Sequence, residues 1–133
     1  MAATLESRTL TVRIDRPLRA VYAFLSLPQN FPKWAAGLGT SIGLVRGEWI
    51  AETPQGTLRI RFSERNDFGI LDHYVTLASG GDVYVPMRVI ANGSGSEVLF
   101  TLFHLADMSD EQFAADARLV EQDLEALKRL LET

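Results

Sequence analysis

Residues 109–132 read SDEQFAADARLVEQDLEALKRLLE, and their spacing constrains everything that precedes them. Phe113, Ala117, Val120, Leu124, Leu127 and Leu131 recur in alternating steps of four and three, which places them on one face of an α-helix. Ser109 followed by Gln112 resembles a capping box. Asp110 and Glu111 in the first turn and Lys128 and Arg129 near the end suit the helix dipole. A helix of this length is about 36 Å long. It has a single apolar stripe and needs a concave partner to cover it.

The chain has 133 residues, the size of one domain, and 47% of them are hydrophobic, enough for a packed core or a core enclosing a cavity. A net charge of −4 leaves no basic footprint for nucleic acid. No apolar run reaches the 18 or more residues that span a bilayer. The first ten residues, MAATLESRTL, lack the basic and apolar regions of a secretory signal. The absence of cysteine excludes disulfides, thiolate catalysis and Cys-ligated metals. A cytoplasmic protein is the simplest reading.

Residues 5–14 alternate as a strand up to Arg16-Pro17, with Pro17 suited to the first position of a helix carrying Leu18, Val21, Tyr22 and Leu25. Pro28 ends that helix, and residues 30–34 suggest a second short one. Residues 37–47, with four glycines, read as a mobile loop without the Lys-Ser/Thr of a phosphate cradle. Five strands follow, at about 48–53, 57–65, 69–78, 82–91 and 96–104. Turn signals at Pro54-Gln55-Gly56, Asn66-Asp67, Ser79-Gly80-Gly81 and Asn92-Gly93-Ser94-Gly95 separate them. The plan is α+β: about six antiparallel strands, two short helices after the first strand, and a long closing helix.

Alternation fixes the faces, because a slip of one residue would turn every side chain over. A loop at 79–81, with Gly81 left-handed, sets His73 opposite Met87 and Asp72 opposite Arg88. The turn at Asn66-Asp67 sets Ile60 beside His73 and Arg61 beside Asp72. The loop at 92–95 pairs Val89 with Val98, Met87 with Phe100 and Val83 with His104. A Gln55-Gly56 turn pairs Trp49 with Phe62 and Glu52 with Arg59. All four hairpins agree on one inner face: Trp49, Leu58, Ile60, Phe62, Leu71, His73, Val75, Val85, Met87, Phe100, Leu102 and His104.

This order of elements, with Ile14, Pro17, Val21, Leu25 and Trp34 so spaced, resembles the SRPBCC superfamily, also called START-like or helix-grip. That group includes polyketide cyclase/dehydratase-like proteins, lipid-transfer domains and the birch-pollen-allergen group. The stretches Leu71-Asp72-His73-x-Val75-Thr76-Leu77 and Pro86-Met87-Arg88-Val89 resemble a small bacterial branch of it. The resemblance covers essentially the whole chain and implies a curved sheet gripping the long helix around a hydrophobic cavity. Members bind lipids, steroids, polyketides or other apolar molecules, and some catalyse reactions on them. An NTF2-like cone is the rival at this length, but it opens with its long helix.

The chemistry centres on His73, set among Ile60, Met87 and Phe100, where burial disfavours its charged form. It suits a hydrogen-bonding handle or a general base for a polar group on an apolar ligand. No inward carboxylate orients it, so pocket lining is the leading role and catalysis an alternative. The expected pocket comprises Trp34, Trp49, Ile60, Phe62, His73, Met87, Phe100, Phe113, Ala117 and Val120, with Leu124, Leu127 and Leu131 anchoring the helix. His104 falls roughly 16 Å from His73 in this register, so the two cannot share a metal. No metal site and no cofactor are implied. Tyr74, Tyr84, Leu99 and Phe103 fall on the outer face and suggest a homodimer patch. The leading function is binding of a small hydrophobic molecule. The alternatives are a cyclase, dehydratase or isomerase using His73 as acid/base, and a protein-interaction module of chaperone-activator type.

Overall fold

A computed structural model describes residues 3–36 and 41–133. In chain order the elements are β1 (Ser7–Ile14), α1 (Leu18–Leu25), a 3-10 turn (Pro28–Lys33), β2 (Ile42–Val45), β3 (Glu48–Thr53), β4 (Gly56–Phe62), β5 (His73–Thr76), β6 (Asp82–Val85), β7 (Met87–Asn92), β8 (Gly95–Phe103) and α2 (Asp110–Glu132). One antiparallel sheet has the order β1-β8-β7 and the other β2-β3-β4-β5-β6. This is the α+β helix-grip plan, with eight strands among the described residues rather than about six.

Two local features account for the extra strands. Residues 42–45, read as loop, form β2, which pairs with β3 through a turn at Arg46-Gly47. Both turn residues are left-handed (φ 52° and 79°), the conformation of a two-residue hairpin turn. Residues 37–40 of the expected loop lie outside the described residues. The second feature is Pro86, which has no N–H for a ladder and divides the expected strand 82–91 into β6 and β7, one in each sheet.

The register is as expected between β7 and β8, where Met87 faces Phe100 and Val89 faces Val98. In the other three hairpins it is displaced by two residues. Trp49 faces Ile60, Phe62 faces His73, and Val85 faces His73 from the other side. An even displacement leaves every side chain on its expected face. Turn chemistry explains the shifts. Pro54 takes the turn one residue early, so that Thr53 pairs with Gly56. Gly80 (φ 101°), not Gly81, takes the left-handed position before β6. Between β4 and β5 the connection is a broad loop tied by the Asn66 side chain, which accepts from the N–H groups of Phe68 (3.0 Å) and Ile70 (3.1 Å).

Several expected pairs change with the register. Glu52 accepts from Thr57 Oγ1 (2.8 Å), while Arg59 pairs with Glu48 (3.5 Å). Val83 and His104 are not paired, because β6 has left the sheet that holds β8. Asp72 does meet Arg88, through two bonds of 3.0 and 2.9 Å, although Pro86 intervenes in the ladder. Arg61 instead lies over the Tyr74 ring, 4.9 Å from its centre. Pro17 is the N-cap of α1 rather than its first residue, its carbonyl accepting from Ala20 and Val21.

All six stripe residues of α2 are buried. Ser109 Oγ accepts from Gln112 N (3.1 Å), but Gln112 turns its side chain to Asp116 rather than closing the capping box. The C-terminal half of α2 is tied to β1 and the turn after it. Lys128 Nζ donates to Arg13 O (2.7 Å), Arg16 Nη1 to Leu131 O (2.8 Å) and Asp15 N to Glu132 Oε2 (2.7 Å). Leu124, Leu127 and Leu131 join Ile14, Val21, Val89 and Val98 in the main core. That core sits against the three-stranded sheet, which leaves the N-terminal half of α2 near the gap where the sheets part.

Candidate functional site

The gap follows from Pro86. β6 pairs with β5, and residues 101–103 of β8 pair with β1, so β6 and β8 diverge. A groove of about 360 Å³ lies between them, roofed by the start of α2 and the segment leading into it. Its walls are Leu77, Val83, Val85, Leu102, Leu105, Met108 and Phe113, with Asp107, Gln112 and Asp116 also lining it. Tyr84 and Phe103, also in its lining, stack at 6.2 Å across the two strands. The volume falls in the range of small-molecule pockets, about 300–1,000 Å³, which are mostly apolar with a few polar groups.

Val85 in the groove wall is the cross-strand neighbour of His73. His73 is 3% exposed and enclosed by rings: Phe31 at 5.2 Å edge-on, Phe62 at 5.9 Å and Phe100 at 6.2 Å. Its Nδ1 is 3.0 Å from the Leu71 carbonyl. A carbonyl only accepts, so Nδ1 carries the proton. Burial pushes the His73 pKa down, against smaller upward pulls from the Leu71 hydrogen bond and the Asp72 charge. The neutral ring therefore presents Nε2 as an acceptor, while its Nδ1 is the nitrogen bonded to Leu71.

The remaining expected pocket residues divide among three places. Trp34, Phe62 and Met87 line a void of about 30 Å³ with Tyr22, Phe31 and Leu71, room for about one water. Trp49 and Ile60, again with Phe62, border an open trough of about 700 Å³ that also takes in Arg59, Arg61 and Thr76. Phe113 lines the groove. Phe100, Ala117 and Val120 are buried, as is His73, and line none of these three hollows. Leu105 and Met108, in the groove wall, escaped the sequence reading because an irregular segment has no period. Their one signal is two apolar residues flanking Ala106-Asp107 immediately before a helix cap.

His104 stands at the roof of the groove, stacked on Phe113 at 4.8 Å and 9°. Its Nε2 lies 2.8 Å from Met108 O and its Nδ1 3.4 Å from Glu6 Oε1. Both partners are acceptors, so the doubly protonated ring suits them. The Met108 hydrogen bond, then that of Glu6, holds the His104 pKa above its usual value. On the outer face, Asp72 accepts from Arg88, from Met87 N (2.9 Å) and from Tyr84 (3.2 Å). The Arg88 hydrogen bonds are the main cause of its lowered pKa, against a desolvation penalty. Tyr74 and Tyr84 stack at 5.0 Å beside this cluster. Among the described residues no group of three or more His, Asp or Glu is placed to hold a metal, and no helix is long and apolar enough to cross a membrane.

The fold these features define is the helix-grip fold, and solved structures share it over nearly the whole chain. XoxI from Bacillus cereus superposes with a TM-score of 0.75 at 18% identity, covering 96% of each chain. The Aha1 dimer from Colwellia psychrerythraea gives a TM-score of 0.73 at 14% identity, covering 96% of this chain and 97% of that one. DynU16, a protein of the dynemicin biosynthetic locus, gives 0.69 at 14% identity, covering 96% of this chain and 47% of its own. No family model and no curated protein matches the sequence.

Proposed function

We propose that the protein binds a small hydrophobic molecule in the groove between β6, β8 and the N-terminal turns of α2. The observation that carries this reading is the groove itself: about 360 Å³, walled by seven aliphatic, Met and Phe side chains. Such a surface is costly to leave in water, at about 25 cal/mol per Å². The C-terminal half of α2 joins the main core, while the first turns of the helix bring Phe113, Gln112 and Asp116 to the groove. Val85, in the groove wall, is the cross-strand neighbour of His73, which is buried behind it among Phe31, Phe62 and Phe100 and is not itself in the groove lining. Filling the groove tests the reading. Val83→Trp and Leu102→Trp should each abolish saturable binding of neutral aromatic probes while leaving the unfolding midpoint close to wild type. Undiminished binding in both variants would sink it.

A second reading, acid–base catalysis of cyclase, dehydratase or isomerase type, is favoured by the lone-pair acceptor of His73 among aromatic rings. His73→Gln should then lose turnover on a substrate while retaining binding. Dimerisation through Tyr74, Tyr84, Leu99 and Phe103 fits the exposed tyrosine stack and the dimeric state of the Colwellia structure. Sedimentation of wild type against Tyr74→Ser/Tyr84→Ser reads it directly, and a monomer at every concentration would dismiss it.

A further inference from the structure

We infer that the groove selects ligands by charge: the occupant it fits is an apolar molecule bearing an ammonium or other cationic end, and carboxylate-ended molecules are turned away. The inference rests on the groove being the binding site. Among the described residues that line it, Asp107 and Asp116 are the charged ones, and no Lys, Arg or His is among them. Apolar walls between two carboxylates offer a cation both burial for its body and attraction for its head.

The neighbouring charges strengthen this sign. Asp110 and Glu111 occupy the first turn of α2 and offset the positive end of the helix dipole, which would otherwise favour an anion. Ser109 and its carbonyl already occupy the N–H groups of Gln112 and Phe113. Among the described residues beside the lining, Arg8, opposite Leu102 on β1, is answered by Glu121 at 3.4 Å, and another basic group is His104, stacked on Phe113. Its charge is answered by Glu6 at 3.4 Å, Asp110 at 3.7 Å and the Met108 carbonyl. Asp116 is held by Gln112 Nε2 at 2.8 Å, which fixes its carboxylate at the rim and leaves its remaining lone pairs for a ligand. Asp107 is exposed, in the segment that roofs the groove.

The test uses three probes with one apolar body: 1-naphthylmethylamine, 1-naphthalenemethanol and 1-naphthoate, titrated into the 133-residue protein by calorimetry. At low ionic strength the amine should bind tighter than the naphthoate by roughly tenfold or more, with the alcohol between them. The gap should narrow as salt shortens the Debye length. Asp107→Asn/Asp116→Asn, near-isosteric at exposed and half-buried positions, should bring the three affinities together, the amine weakening and the naphthoate tightening relative to the alcohol. Equal affinities, or a preference for naphthoate, would overturn the charge selection and leave the groove reading intact. Failure of the alcohol as well as the amine to bind would overturn both.

Discussion

Replacing His73 by phenylalanine should remove a pH dependence from the folding stability. In the native protein Nδ1 is tied to the Leu71 carbonyl, and burial among three aromatic rings lowers the pKa. In the unfolded chain the imidazole titrates near 6.5. Above that value both states are neutral and His73 adds no slope. Below it the unfolded chain binds a proton that the native ring refuses, so stability falls as pH drops from about 6.5 through the lowered native value. The limiting slope for one proton is about 1.4 kcal/mol per pH unit. The assay is urea denaturation at half-unit steps from pH 4.5 to 8, for wild type and His73→Phe. The variant loses its bond to Leu71 at every pH, which shifts its curve by a constant, and the diagnostic is the difference in slope between pH 5 and 6.5. His104 titrates in both proteins and cancels. Parallel curves would show that the native ring takes up its proton as readily as the unfolded chain, and would refute the lowered pKa and the neutral acceptor it keeps in mild acid.

Further outcomes follow from the packing. Leu127, fully buried under the main core, should cost about 2–5 kcal/mol as Leu127→Ala, while Leu119→Ala at a half-exposed position of the same helix should stay within about 0.5 kcal/mol, both read by denaturant midpoint. Gly69→Ala should be severe, because φ is +70° and a Cβ would stand 2.2 Å from the Val89 carbonyl oxygen, at the junction of the two sheets; near-native thermal stability would refute that geometry. Asp72→Asn should lose about 1–3 kcal/mol at neutral pH as the Arg88 and Met87 bonds weaken. The lowered native pKa makes that stabilisation full above the unfolded value near 3.8 and lost as pH falls through the native one, so variant and wild type should converge in acid. His104 has the opposite sign. Its raised pKa gives stabilisation that is full below about 6.5 and lost as pH rises through the native value, so His104→Gln should narrow its deficit at alkaline pH.

The closing helix was legible because six apolar residues at helical spacing have one solution, and all six are buried. The faces of the sheet were legible for the same reason at period two, and they place His73 inward even where the register is displaced. Register itself depends on which residue of a turn accepts a left-handed or proline-fixed backbone. Pro54 and Gly80 settle that locally, by one residue each, which side-chain alternation cannot detect. β2 was missed because Gly43, Leu44 and Val45 are exposed and carry no alternation. The groove was missed as a distinct site because it arises from a break: Pro86 separates β6 from β8, and the space so opened is roofed by Leu105 and Met108, whose segment has no periodicity. Sequence patterning registers continuous elements, and this site is built where one stops.

Occupation of this gap by a small apolar molecule can be followed by amide and methyl NMR during titration with 1-naphthalenemethanol. Saturable shifts are expected on Leu77, Val83, Val85, Leu102, Met108 and Phe113, and should be abolished in Val83→Trp and Leu102→Trp. Shifts that do not saturate, or that gather on the outer face around Tyr74 and Arg61 instead, would contradict it.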